Sequence, residues 1–348
     1  MQLFTNPAYD EHEAVVFCSD RETGLRAIIA IHDTTLGPGF GGCRMKAYPS
    51  EGDALTDVLR LSRGMTYKHA ACGHTYGGAK AVIIGDPATV KTPALLRAFG
   101  QAVDQLAGRY ITAEDMGTAM DDIRIMAETT QHVRNMPLDH SGDPSPCTAW
   151  GVFRGMQAAW QAMTGTGLSG ATVTVEGIGK VGAELCRLLH EAGAKLQVAD
   201  ISSERTAAMQ QQYQAQVLSE QNAATAAADI YAPCATGGTL NRDSIAAMQV
   251  RMVAGAANNQ LADPTDGERL HERGIVYCPD YVINAGGVLS VPPLGESYSA
   301  DQAMERAGTV ADTIVAVLRK AEQEHLATHQ AADQLAAARI KAARMGAG

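Results

Sequence analysis

Apolar runs of two periods alternate along the first third of the chain. Residues 14–18 (AVVFC) and 25–31 (LRAIIAI) are short runs separated by the polar stretch 19–24 (SDRETG), which predicts two strands joined by a turn. Leu55, Val58, Leu59 and Met65 then recur at helical spacing. Ser50, followed three positions on by Asp53, has the form of a capping box and marks the start of that helix. A short apolar run at 81–84 (AVII) predicts a strand, 93–106 a helix closed by Gly108-Arg109, and 110–113 (YITA) a further short strand. A helix is expected at 120–129. Between the first strands and the first helix lies 36–45 (LGPGFGGCRM), with four glycines and a proline. Such a stretch reads as a loop, either a flexible connector or a wall that must lie close to a ligand.

The rest of the chain alternates strand and helix. Residues 141–146 (SGDPSP) are polar and proline-bearing, the best candidate for an inter-domain hinge, and 148–163 predicts a helix. A strand at 171–175 (ATVTV) runs into Glu176-Gly177-Ile178-Gly179-Lys180-Val181-Gly182. A helix at 183–192 and a strand at 195–199 (KLQVA) ending at Asp200 follow. This is G-x-G-x-x-G in the setting it needs, between strand and helix, with an acid 23 positions after Gly177. Gly177 permits the tight turn, Gly179 the close approach of a pyrophosphate, and Gly182 the packing of helix on strand; the helix N-terminus meets the negative charge, and Lys180 and Val181 of the loop are expected beside the cofactor. Asp200 would accept from a ribose 2′-hydroxyl and repel a 2′-phosphate, which favours NAD over NADP, with Arg205 nearby pulling the other way. Further strands are expected at 229–232 (DIYA), 252–254 (MVA) and 275–277 (IVY), each followed by small or polar residues that would line the carboxyl edge of a parallel sheet. Asn258 and Asn284 lie there, as turn residues or as hydrogen-bonding partners of a cofactor or substrate. From 299 onward the chain is helical, and its alanine-rich end, 333–346, reads as a packing or subunit-contact helix with a frayed tail.

Composition narrows the class. A chain of 348 residues is long for one core and predicts two domains. Hydrophobic residues at 46% against 19% charged place it among globular proteins. The net charge of −10 and the lack of a Lys/Arg-rich block argue against nucleic acid as a partner. The seven cysteines are scattered and never spaced C-x-x-C, which fits free thiols in a reducing compartment. No signal peptide and no apolar run of about 18 residues is evident, so a soluble cytoplasmic protein with no membrane partner is expected. His32, His69, His74, His132 and His140 form no H-E-x-x-H or comparable cluster, and no metal site is expected.

Against that acidic background, residues 64–86 (GMTYKHAACGHTYGGAKAVIIGD) hold two lysines in a small-residue setting, Lys68 and Lys80. Lys80 follows Gly77-Gly78-Ala79, which reads as a tight turn aiming it at a strand entrance. Two ammonium groups close together in a water-poor site favour a neutral amine, the form useful in proton transfer. The plainer reading makes both lysines surface residues flanking a turn. Asp115, after the strand 110–113, is either a ligand contact at a strand end or the N-cap of the next helix.

Taken together, 37–45 (GPGFGGCRM), 61–87, 108–118 (GRYITAEDMGT), 144–156 (PSPCTAWGVFRGM), 175–182 (VEGIGKVG), 255–262 (GAANNQLA) and 278–291 (CPDYVINAGGVLSV) occur in an order that resembles the leucine/valine/phenylalanine dehydrogenases of the glutamate dehydrogenase superfamily. The likeness runs from about residue 15 to 340 and looks strongest to the leucine dehydrogenases. It implies an α/β fold of two domains separated by a cleft. Residues 1–140, completed by the C-terminal helix 330–348, would form an α/β substrate and oligomerisation domain, and 141–329 a Rossmann NAD-binding domain. It also implies NAD-dependent reversible oxidative deamination of an apolar L-amino acid to a 2-oxo acid and ammonia, by a homo-oligomer. Lys68 would bind the substrate carboxylate, Lys80 would be the catalytic lysine, and Asp115 would exchange protons with the substrate nitrogen. Gly41 and Gly42 would let the substrate pass close to the chain. Thr148, Asn258 and Asn284 would hold the nicotinamide ribose and amide, Asn258 also touching substrate. Phe40, Met65, Ala113, Val288 and Val291 would line the side-chain pocket, whose apolar character disfavours glutamate. Phe40 stands where a leucine is expected, so a branched aliphatic substrate is the first expectation and phenylalanine or tryptophan the second. A non-catalytic NAD sensor would need the glycine loop but would leave Lys68, Lys80 and Asp115 unexplained.

Overall fold

A computed structural model describes residues 3–134 and 143–346. The α/β chain divides into two units, one of Met1–Met136 with Ala336–Gly348 (unit 1) and one of Pro137–Leu335 (unit 2).

Unit 1 is built on a mixed sheet of β1 (Ala14–Asp20), β2 (Leu25–Asp33), β3 (Gly39–Phe40), β4 (Cys43–Lys46), β5 (Gly77–Ile84) and β6 (Tyr110–Ile111). The order is β1-β2-β5-β3-β6, with β4 also paired to β5. β2 is antiparallel to its neighbours β1 and β5, while β3 and β4 run parallel to β5. β2 is buried at every position but Arg26, because both faces of the sheet are covered. Ile28, Ala30 and Val82 pack with Leu55, Val58 and Leu59 of the helix Glu51–Ala71. Ile29, Ile31 and Ile83 pack on the other face with Leu95, Leu96 and Phe99 of the helix Pro93–Asp104. Each buried Ile, Val, Leu or Phe side chain among these contributes about 1.5–3 kcal/mol. Ser50 caps the first of these helices, accepting from Asp53 N at 3.1 Å.

Three expectations for unit 1 are corrected. The glycine-rich 36–45 is no loop, since it supplies β3 and β4 in the middle of the sheet. Gly77, Gly78 and Ala79 form no turn before Lys80; all lie within β5, where Lys80 stands opposite Ala30. The helix after Asp115 is Met120–Met126, and its N-cap is Ala119, whose N–H donates to Asp122 Oδ2 at 2.8 Å.

Unit 2 holds a six-stranded sheet of β7 (Thr172–Glu176), β8 (Lys195–Ala199), β9 (Gln216–Val217), β10 (Ile230–Pro233), β11 (Met252–Val253) and β12 (Val276–Tyr277). All neighbouring pairs are parallel, in the order β12-β11-β10-β7-β8-β9. The chain starts in the centre at β7, builds outward through β8 and β9, and returns to build the other half from β10, the doubly wound arrangement that binds dinucleotides where the strand order reverses. The helix expected at 148–163 spans Ser145–Thr164, so Ser145 and Pro146 of the expected hinge open a helix, and residues 141 and 142 lie outside the described residues. A proline in the first helical turn is favoured, because its missing N–H would have no partner there. The helix after the glycine loop begins at Lys180 rather than 183. The last helix, Thr328–Gly346, starts in unit 2 and belongs to unit 1 from Ala336, where Ala336 and Ile340 pack on Ala70. Among the described residues no helix is long and apolar enough to cross a membrane.

Candidate functional site

In unit 1 the alternation of β5 puts Gly78, Lys80 and Val82 on the face covered by the helix Glu51–Ala71, with Gly78 lying against Thr66. The register of β4 on β5 pairs Arg44 with Val82. Cys43 and Met45 belong to the core cluster on the opposite face. Arg44 therefore joins Lys80. The segment after β6 runs beside β4, with Cys43 N donating to Ala113 O and Met45 N to Met116 O, both at 2.8 Å. That brings in Asp115. Lys80 Nζ forms an ion pair with Asp115 Oδ2, while Asp115 Oδ1 accepts from Arg44 Nε at 3.3 Å and from Met116 N. Arg44 also donates to Asp57 at 3.1 and 3.3 Å, and the Tyr48 hydroxyl donates to Asp57 at 2.6 Å. Burial pushes the Asp115 carboxyl up, but the charges of Lys80 and Arg44 outweigh it and hold it at about 2. Lys80 is buried, with 7% of its surface exposed, which removes the surface reading of that lysine.

Other residues singled out in the sequence lie in the same unit. Lys68 and Met65 are half-buried near the end of the helix Glu51–Ala71. A Cβ placed on Gly41 would lie 1.9 Å from Ala79 O and 3.2 Å from Met65 Cγ, and one on Gly42 would lie 2.2 Å from Glu114 O. Close backbone packing within unit 1 is thus enough to require both glycines. Phe40 is buried and stacks on His69 with centroids 5.7 Å apart and planes 9° from parallel, and it meets Tyr76 at 5.0 Å. His69 Nδ1 is 2.7 Å from Gly77 O, so that nitrogen carries the proton, and burial holds the ring neutral. Ala113 is buried beside β4.

In unit 2, Gly177 takes φ +92°, and a Cβ on it would meet Ala235. A Cβ on Gly182 would fall 1.9 Å from Gly177 O, whereas one on Gly179 would meet nothing within 4 Å. The loop is closed on itself at its ends and open in the middle. Gly179 is the N-cap of the helix Lys180–Glu191 and supplies no side-chain cap, so the first N–H groups, from Lys180 and Val181 on, are left for a ligand. Asp200 tightens the loop, accepting from Ile178 N at 2.6 Å and from Ser202 N at 2.8 Å, with Arg205 3.8 Å away. Lys180 pairs with Asp143 at 2.9 Å. After β11 and β12, Asn284 Nδ2 donates to Asn258 Oδ1 at 2.7 Å and to Ala256 O at 3.1 Å. Asn284 Oδ1 is buried with no hydrogen-bond partner among the described residues, a state that calls for a ligand donor. Thr148, whose hydroxyl donates to Pro144 O, lies against Gly287. Val288 is half-buried on the short helix Gly286–Leu289, and Val291 is fully buried. The open glycine loop and the orphaned amide oxygen fit a nicotinamide dinucleotide.

Arg44, Asp57 and Tyr48 were not among the residues singled out by the sequence. The signal was there in 43–46 (CRMK), which alternates apolar and charged residues as a half-buried strand does. No group of His, Cys, Asp or Glu among the described residues is placed to hold a metal ion.

Residues 12–132 match the family described as Glu/Leu/Phe/Val dehydrogenase, dimerisation domain, and residues 196–348 match Glutamate/Leucine/Phenylalanine/Valine dehydrogenase. The chain is 47% identical to a leucine dehydrogenase of Geobacillus stearothermophilus, over 99% of this chain and 95% of that one. It is 43% identical to a phenylalanine dehydrogenase of Bacillus thermotolerans, over 95% and 89%. The crystal structure of L-tryptophan dehydrogenase from Nostoc punctiforme superposes with a TM-score of 0.84 at 41% identity, over 96% of this chain and 97% of that one. With both family matches and near full-length relatives above 40% identity, the chain belongs to the glutamate/leucine/phenylalanine/valine dehydrogenase family.

Proposed function

We propose that this chain is an amino-acid dehydrogenase that catalyses the NAD-dependent, reversible oxidative deamination of a branched-chain L-amino acid to its 2-oxo acid and ammonia. The observation that carries this reading is the buried Lys80–Asp115 pair. Unit 1 supplies the substrate groups and, with the end of the C-terminal helix, the assembly surface of a homo-oligomer. Unit 2 supplies the dinucleotide groups: Gly177, Gly179, Lys180, Val181, Gly182 and Asp200 for the pyrophosphate and ribose, and Thr148, Asn258 and Asn284 for the nicotinamide end. Asp200 supports NAD over NADP, since a carboxylate repels a 2′-phosphate. The reduced cysteines support a cytoplasmic setting.

When bound, the nicotinamide supplies a hydride acceptor for the Cα hydrogen. Lys68 holds the substrate carboxylate, and Asp115 takes a proton from the substrate nitrogen so that the neutral amine can be oxidised. A carboxyl held at about 2 is a weak base while both neighbouring cations are charged. The carboxylate and the Lys80 amine are in direct contact, so a proton gained by one is within reach of the other. The pair therefore works as one proton-exchanging unit. Water attacks the iminium carbon as Lys80 takes its proton and contacts the carbinolamine oxygen; Asp115 returns its proton to the nitrogen and takes the one on the carbinolamine hydroxyl, so that the C–N bond breaks and ammonia and the 2-oxo acid leave.

A branched aliphatic side chain is favoured because Phe40, fixed by His69 and Tyr76, is a rigid apolar residue of unit 1 and the other expected lining residues, Met65, Ala113, Val288 and Val291, are apolar as well. A second reading, a phenylalanine- or tryptophan-type substrate, draws on the likeness to the tryptophan dehydrogenase. Formation of NADH from NAD⁺ with valine, leucine, isoleucine, phenylalanine, tryptophan and glutamate at alkaline pH tests both, with NADP⁺ in parallel. The expected ranking places the branched aliphatics first. Aromatics first would install the second reading, and no turnover in protein that binds NAD⁺ would remove both.

A further inference from the structure

Arg44 has no place in the chemistry above, yet its guanidinium bridges two carboxylates. Nε donates to Asp115 Oδ1 at 3.3 Å, and one terminal nitrogen donates to both oxygens of Asp57 at 3.1 and 3.3 Å. Asp57 sits in the helix Glu51–Ala71 and is held again by the Tyr48 hydroxyl at 2.6 Å. Arg44 is thus rooted in a strand and pinned at its tip by a helix. A planar guanidinium fork fixes the orientation of a carboxylate, which a point charge does not. With Oδ1 taken by Arg44 and Met116 N, Oδ2 is the oxygen turned to Lys80.

We propose that Arg44 is a positioning residue for the deamination: anchored by Asp57 and Tyr48, it holds Asp115 through Oδ1 and so presents Oδ2 to Lys80 and to the substrate nitrogen. The proposal rests on the reading of Asp115 as proton acceptor. Without Arg44, Oδ1 is left to Met116 N alone, Asp115 gains freedom to turn about its side-chain bonds, and a displacement on the scale of 1 Å in a reacting group costs about 100-fold in rate. Substrate affinity should be spared, because the carboxylate and side chain of the substrate are held by other residues.

The test measures kcat and KM with the best amino acid of the panel for the wild type, Arg44→Met, Arg44→Lys, Arg44→Ala, Asp115→Asn and the double variant Arg44→Met/Asp115→Asn. NAD⁺ affinity and melting temperature are recorded alongside. Expected for Arg44→Met is a fall in kcat of about 100-fold, with KM and NAD⁺ affinity close to the wild type. Arg44→Lys, keeping the charge without the fork, should recover part of the loss. Added ethylguanidinium should raise the kcat of Arg44→Ala, a result that a purely structural role would not give. In the Asp115→Asn background the Arg44→Met change should cost no more than about twofold, since a residue acting through Asp115 has nothing left to position. Near wild-type kcat in Arg44→Met, multiplicative losses in the double variant, or loss of stability with no rescue by guanidinium would overturn the assignment while the functional reading stands. A wild type inactive on every amino acid would instead overturn the functional reading, and the role of Arg44 with it.

Discussion

Lys80, Asp115, Arg44 and Asp57 put four linked charges on one face of unit 1, whereas residues 177–182 of unit 2 meet a ligand with backbone N–H groups and open space. The two arrangements fail in different ways. A largely buried charge is tolerated only while its partners remain, and breaking such a pair costs about 3–5 kcal/mol. A backbone site carries no such charge to orphan, and what it cannot tolerate is volume. Neutralising substitutions should therefore be the sharp tools in unit 1 and added methyl groups the sharp tools in unit 2.

The largest effect is expected at Lys80. Lys80→Ala should lower kcat by on the order of 10³-fold, the middle of the range for a positioned acid–base group, as read by NADH formation under saturating amino acid. Asp115 keeps Arg44 and Met116 N as partners in that variant and is not orphaned, so the loss of stability should stay below the about 3–5 kcal/mol of a fully broken pair. Near-normal turnover would take Lys80 out of the chemistry and break the contrast at its first term. Next come two glycines three positions apart. Gly182→Ala places a methyl group 1.9 Å from Gly177 O, so backbone must move, at about 1–3 kcal/mol of stability. Gly179→Ala meets nothing within 4 Å and should melt like the wild type while binding NAD⁺ about tenfold or more weakly, about 1.4 kcal/mol. Calorimetric melting with and without NAD⁺ separates the two. Equal NAD⁺ affinity in Gly179→Ala would remove that open space from the ligand path.

The same contrast explains what the sequence could tell. The glycine loop was legible because everything that defines it is local: a strand, three spaced glycines, a helix and an acid within one βαβ unit. The charged site was half legible. Lys80 and Asp115 stood out in their own stretches, but Arg44 reaches Asp115 across 71 positions, a pairing that no local pattern encodes. β3 and β4 were hidden for another reason. Gly39, Gly41 and Gly42 suggest a loop by propensity, yet a Cβ on Gly41 or Gly42 would strike a neighbouring carbonyl oxygen, so close packing overrides propensity there. At Ser145 and Pro146 the proline-bearing end of the stretch opens a helix three residues earlier than expected, since a proline in the first helical turn has no hydrogen bond to lose.

Asp200 combines both kinds of site, as a single charge that folds a backbone loop. Asp200→Asn keeps an oxygen for Ile178 N or Ser202 N and removes the charge, and Arg205, 3.8 Å away, is then released toward a 2′-phosphate. The ratio of kcat/KM for NADP⁺ to that for NAD⁺ should rise about tenfold, about 1.4 kcal/mol. An unchanged ratio would mean that Asp200 serves the loop alone.

The smallest and most distributed effect concerns acid. His12 is buried, its Nε2 3.1 Å from both Leu59 O and Ser62 Oγ, while its Nδ1 accepts from Asp10 N at 3.2 Å. A proton added at Nδ1 would displace that last bond, and burial, helped by His32, holds the ring down at about 4 against 6.5 in an unfolded chain. Between those two values the unfolded chain binds more protons than the folded one, so stability is full above 6.5 and falls as the pH drops toward 4. At 1.36 kcal/mol per pH unit, going from pH 6.5 to 5 costs about 2 kcal/mol. Asp115 acts in a separate window, its contribution intact above about 4 and lost only as the pH falls toward 2. Amide exchange followed segment by segment at pH 7 and 5 should therefore show the first strands of unit 1 opening before β7 and β8 of unit 2, and His12→Gln should flatten that dependence. His329 of unit 2 is also held down by burial, so equal acceleration in both units would show that acid lability follows buried imidazoles wherever they lie and owes nothing to the charged character of unit 1.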